Sequence, residues 1–247
     1  MGKLTNGDDR VRWVPLQRSR PERLIVDTQI RARMHPDSPF QVPRLVESFV
    51  ALGRAGGLAG AGLLPADSRV EVQGRRLDAV SAHFDLALDG IDPCAVGVLF
   101  NSLVFSHRMV EPVELLSISS SFDERVCLAP LAGTAGVLPF DTDLEINSDD
   151  VLITASFCEV PDGKAQAQIE ADLAAWLNLL ASGGFETDIW LATKPFAVSQ
   201  DDPWWLGREL SLRLEGASFD EAALDSLVNV FRVVHQRVVA VESVVVG

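Results

Sequence analysis

The chain has 247 residues, 47% of them hydrophobic and 23% charged, with a mean hydropathy of +0.17 and a formal net charge of −14. That length can bury one sizeable core or two of ordinary domain size. No apolar run reaches the ~18 residues of a transmembrane helix, no apolar leader core marks a secretory signal, and three widely spaced cysteines (Cys94, Cys127, Cys158) with no CxxC pair argue against a disulfide framework and for a reducing cytosol.

Charge is uneven along the chain. Residues 1–23 carry a net +3, which leaves −17 on the remaining 224. An acidic body repels phosphate backbones and argues against nucleic-acid binding. It also offers a surface for a basic protein partner.

In chain order, residues 1–22 are polar and Arg-rich and read as a flexible arm, with Trp13 and Leu16 able to dock on the body. Leu24 to Met34 alternates. Leu24, Val26, Ile30, Ala32 and Met34 take one face, and Asp27, Gln29, Arg31 and Arg33 the other, as in a half-buried strand. Val42, Leu45, Val46, Phe49 and Val50 repeat at helical spacing, and Gly56-Gly57 stop that helix. Leu58 to Leu64 is a strand candidate, Pro65 to Arg76 a loop or short hairpin, and His83 to Asp89 a second alternating strand. Asp92 reads as an N-cap with Pro93 at the first helical position. Val96, Leu99, Phe100, Leu103 and His107 form the next helical stripe, and Val110 to Ile118 a closing strand.

The order then recurs. Val151 to Val160 is a strand, and Ile169, Leu173, Trp176, Leu177 and Leu180 stripe a helix ending at Gly183-Gly184. Thr187 to Thr193 and Glu209 to Glu215 are strands. Ser218 with Glu221 is a capping-box pattern, Leu224 to His235 a striped helix, and Val238 to Val246 the last strand.

The recurrence is also literal. Ile91 to Ile118 aligns on Phe219 to Val246 without a gap, pairing Asn101 with Asn229, His107 with His235 and Val113 with Val241. Phe49 to Gly57 resembles Trp176 to Gly184. A period of about 126 residues means two copies of one compact unit. The expected fold is α+β, two tandem ferredoxin-like (βαββαβ) repeats at 23–118 and 149–247, joined by a linker at 119–148. Val238 to Val246 reads as apolar on both faces. Such strands are normally covered on both sides. The two sheets are therefore expected to pack face to face as a single-chain pseudo-dimer, with an α+β barrel as the closed variant.

No catalytic motif emerges, and no cofactor or metal is implied. Ser117 to Ser121 lacks a GxSxG context, and the glycine-rich pieces at 53–62 and 133–136 lack a phosphate-loop lysine. Asp141, Asp143, Glu145, Asn147, Asp149 and Asp150 resemble half a calcium loop, but Ile146 and Leu152 stand where glycine and a bidentate glutamate are required. His107 and His235 are expected to satisfy helix C-terminal carbonyls.

Two groups remain as candidates. Arg31, Arg33, His83 and Asp85 could line a polar ligand site on the open sheet face. Trp204 and Trp205, expected in a loop, could anchor a partner. The favoured expectation is an acidic cytosolic protein-interaction module of inhibitor, immunity-type or adaptor kind, without catalysis. The alternative is a small-molecule enzyme or ligand-binding protein with an anion-accepting cavity between the repeats. A structural subunit of a larger assembly is the third class. Oligomeric state is left open.

Overall fold

The computed structural model describes residues 10–29, 41–60, 64–78, 80–109, 113–127, 131, 137–144, 150–186, 199–200, 202–215 and 221–247. The first half runs β1 (Val11–Pro15), β2 (Glu22–Gln29), α1 (Gln41–Arg54), β3 (Arg69–Leu77), β4 (Ser81–Asp89), α2 (Ala95–Met109) and β5 (Leu115–Ser120). A one-turn helix α3 (Glu124–Cys127) follows. The second half runs β6 (Asp141–Leu144), β7 (Asp150–Phe157), α4 (Gly163–Ala181), β8 (Ser199–Gln200), β9 (Trp204–Leu206), β10 (Glu209–Glu215), α5 (Glu221–Arg237) and β11 (Val241–Val246).

The first sheet has the order β1-β5-β2-β4-β3, the second β6-β11-β7-β10-β8, with β9 sharing the outer edge of β10. In each sheet the leading strand joins its edge in parallel, β1 on β5 and β6 on β11. The remaining pairings are antiparallel. The protein is therefore a mixed α+β molecule of two similar halves.

Local chemistry repeats with the topology. Gly56 and Gly183, matched in the sequence alignment, have φ of 82° and 68°. Only glycine takes that region without a Cβ clash. The following N–H of Gly57 returns to Leu52 O at 3.0 Å, and that of Gly184 to Leu179 O at 2.8 Å, closing both helices with the same six-to-one bond. The histidines also match. His107 Nδ1 accepts the Val113 N–H at 2.9 Å, and His235 Nδ1 lies 3.1 Å from the Val241 nitrogen. These bonds tie each helix end to the chain after it.

The halves meet through helices. α1 packs on α4, and α2 also reaches α4. One continuous core cluster takes in Phe49 and Leu52 of α1, Leu99 and Leu103 of α2, Leu173 and Trp176 of α4, and Leu227 and Phe231 of α5. The helices of both halves lie between the two sheets, whose other faces turn outward.

This corrects the expected face-to-face packing of the sheets. The alternation in β11 is broken by a bulge between Val241 and Ser243. Val241, Val244 and Val246 all turn inward, while Val245 remains 40% exposed. A bulge inserts one residue and flips the face of everything beyond it. The strand begins only at Val241, so Val238 to Ala240 belong to no sheet face.

Other expectations change in the same way. Val11–Pro15, inside the segment expected as a flexible arm, is a strand held in register with β5, and Trp13 meets Phe100 edge-on at 5.8 Å. The segment expected as a linker carries α3 and β6. Leu58 to Gly60 form no strand, whereas β3 replaces the expected loop. β3 is an edge strand with only Val70 buried, so its charged residues hide the alternation. Arg31, Arg33, Thr187 to Thr193, Ser218 and residues 132–136 lie outside the described residues.

Candidate functional site

His83 and Asp85 stand where the alternation of β4 puts them, on the outer face of the first sheet. Phe84 and Leu86 between and beside them are buried. His83 Nδ1 is 2.7 Å from Asp27 Oδ1, its register partner on β2. Arg23 binds Asp85 through Nε at 3.3 Å and a terminal nitrogen at 2.5 Å. Such exposed pairs are screened by solvent and contribute little to stability. An open cleft of about 590 Å³ on this half is bounded by Arg20, Glu22, Arg69, Asp89 and Phe122, and touches neither His83 nor Asp85. The expected ligand group is thus a charge-paired surface as far as it is described.

The serines 119–121 are buried and structural. Ser120 Oγ accepts the Phe122 N–H at 3.1 Å, and Ser121 Oγ accepts the Arg23 N–H at 2.8 Å. Among the described residues no three His, Cys, Asp or Glu side chains converge as metal ligands.

The two tryptophans separate. They lie on a strand, not in a loop, and register sets their directions. Trp205 pairs with buried Leu210, tilts on Phe157 at 5.6 Å, and donates its indole N–H to Glu170 Oε1 at 2.7 Å. It is a structural anchor. Trp204 pairs with Ser211 on the outer face and stays 43% exposed.

Around Trp204 the outer face of the second sheet has an apolar centre with an acidic margin. Leu206 is 74% exposed, Leu152 43% and Val245 40%. Register brings Ser211, Thr154, Val245 and Asp143 into one row across four strands. Asp141, Asp150, Glu209, Glu215 and Glu242 surround it. Arg213 already faces Asp150 and Glu215, each at 3.4 Å, and Arg208 faces Glu242 at 3.0 Å. The excess charge is negative.

A second feature is a cavity between the halves, expected between the sheets but lined instead by helix ends. A cleft of about 630 Å³ lies between the halves, where the end of α1, the start of α4 and the end of α5 converge. Arg54, Lys164 and Arg237 line it together with Glu159, Asp162 and Asp172. Asp162 caps α4, accepting the Ala165 N–H at 2.7 Å. Asp172 is 8% exposed, and its carboxylate accepts Gln168 Nε2 at 2.9 Å. Burial pushes its pKa up to about 6, against the smaller opposite effect of the Gln168 bond. The sequence carried one signal for this site: Asp172 stands on the apolar stripe of α4, between Ile169 and Trp176.

No known family's sequence model matches the chain, and no curated protein is similar to it in sequence. Among solved structures, similarity is found to the periplasmic protease PqqL from Escherichia coli, at 10% identity and a TM-score of 0.26 over 92% of this chain and 36% of that one. A variant of the ferredoxin protease FusC in complex with Arabidopsis ferredoxin gives 9% identity and 0.26 over 86% of this chain and 34% of that one. A protease from Helicobacter pylori gives 7% identity and 0.23 over 88% of this chain and 75% of that one. The chain spans about a third of the length of the first two. TM-scores this low carry no argument about activity. Among the described residues no helix is long and apolar enough to cross a membrane.

Proposed function

We propose that the chain is a protein-interaction module that captures a basic partner on the outer face of its second sheet. The supporting observation is Trp204, 43% exposed on the edge strand β9 beside exposed Leu206, on a sheet face that also carries acidic side chains. An aromatic anchor inside a charged rim is the usual anatomy of a binding surface. The charge of −14 favours a basic partner and speeds its approach. Three cysteines outside any disulfide agree with a reducing compartment such as the cytoplasm. We also read each half as a ferredoxin-like unit, and the order β5-β2-β4-β3, repeated as β11-β7-β10-β8, supports that reading.

The test uses the full chain as bait at low salt, followed by titration of the purified captured protein. Trp204→Ala should weaken binding at least about tenfold, and about 0.3 M salt should weaken it further. Absence of any partner, or a partner indifferent to Trp204→Ala, overturns the reading.

A further inference from the structure

Asp172 is the one buried carboxylate among the described residues. A carboxylate has about four acceptor positions, and Asp172 accepts a hydrogen bond from Gln168 on the same helix. Among the described residues no cation pairs with it, although three cationic side chains line the same cleft. A buried acid with one hydrogen bond, at the wall of a cavity that basic side chains also line, has acceptor capacity left for a ligand donor.

The basic side chains keep capacity as well. Arg54 donates Nε to Val70 O at 3.2 Å, and Arg237 donates to Ala66 O. A guanidinium has five N–H donors, so each retains others. The lining also includes the apolar side chains of Val233 and Val239. A ligand with only negative charge would meet Glu159, Asp162 and Asp172, and one with only positive charge would meet Arg54, Lys164 and Arg237. A molecule bearing both charges satisfies both ends.

We infer that the cleft between the halves binds a small aliphatic zwitterion, an α-amino acid or a dipeptide. Its ammonium sits on Asp172, its carboxylate on Arg54, Lys164 and Arg237, and its side chain against Val233 and Val239. A volume of about 630 Å³ is in the range of small-molecule sites and accommodates either form. The site is distinct from the outer face of the second sheet, so failure of one reading leaves the other intact.

The experiment is isothermal titration and thermal-shift measurement on the full chain. The probes are L-leucine, L-valine and leucyl-leucine, against isovalerate (carboxylate alone) and isoamylamine (amine alone). At least one zwitterion should bind and raise the melting temperature, while the half-charged controls bind at least tenfold more weakly. Free amino acid against dipeptide identifies the source. Asp172→Asn should weaken binding at least tenfold. Arg237→Ala, at an exposed side chain, should do the same and keeps the test valid if the Asp172 variant fails to fold. Absence of binding by all three zwitterions, equal binding of either half-charged control, or full affinity in the Arg237 variant overturns the inference.

Discussion

Asn101 and Asn229 make matching contacts from opposite halves. Asn229 on α5 donates Nδ2 to Ala59 O, just beyond the end of α1, at 3.0 Å. Asn101 on α2 donates Nδ2 to Glu186 O at 2.8 Å and Gly184 O at 3.4 Å, just beyond the end of α4. Each second helix thus satisfies backbone carbonyls released where the other half's first helix stops. The glycines there give room: a Cβ on Gly57 would come within 3.0 Å of Ser226 Oγ, and one on Gly184 within 2.6 Å of Ser102 Oγ. Asn229 is fully buried and Asn101 is partly exposed. Asn229→Ala leaves a buried carbonyl unpaired and should cost about 1–3 kcal/mol in urea unfolding, with Asn101→Ala costing less. A loss below about 0.5 kcal/mol for Asn229→Ala would remove the bond from the interface's account.

Phe231, on the α5 stripe, has no exposed surface and belongs to the shared core. Phe231→Ala should destabilise by about 3–5 kcal/mol. Because the core is continuous between halves, the loss should appear as one cooperative transition shifted to lower denaturant, not as separate melting of one half.

The adjacent tryptophans should respond oppositely. Trp205→Ala removes the contact with Phe157 and the bond to Glu170, and should cost about 1–3 kcal/mol of stability. Trp204→Ala, on the outer face, should change stability by less than about 0.5 kcal/mol while weakening partner capture. Equal destabilisation by both would contradict their opposite directions on β9.

Asp172 makes stability depend on pH in a fixed sense. Its folded pKa of about 6 lies above the ordinary carboxylate value, so the native state binds the proton more tightly than the unfolded chain. Stability from this group is greatest below the unfolded value near 4 and falls as pH rises to about 6. Above that it costs up to about 3 kcal/mol. Asp172→Asn should therefore raise stability at pH 7–8 and flatten the profile between about pH 4 and 6. Glu159, Asp162, Lys164, Arg54 and Arg237 are the other charged groups lining the same cleft. An unchanged profile would show that the carboxylate is solvated.

Much of the fold was legible because its signals belong to single residues and their near neighbours. The alternation of Leu24, Val26, Phe84, Leu86, Val151 and Ile153 marks which strand face is buried, since successive side chains point to opposite sides. Gly56 and Gly183 mark helix ends because a positive φ is a local steric demand. The pairs His107 and His235, and Asn101 and Asn229, could be read as equivalents before their contacts were known. β1, β3 and β6 were less legible. Edge strands are short or charged, and their partners come from elsewhere in the chain.

The sequence by itself determined the repeat, the inward faces and the places where helices stop, because these follow from period, backbone sterics and local hydrogen bonding. Only the tertiary structure decided that the halves join by helices and not by sheets. One bulge at Glu242 reverses the face of the residues beyond it, and no periodicity count reveals a bulge in advance. The tertiary structure also turned Trp205 in and Trp204 out, through register with β10. It brought Arg54, Asp172 and Arg237 to one cleft, from helices that are far apart in the chain and meet only where the two halves pack.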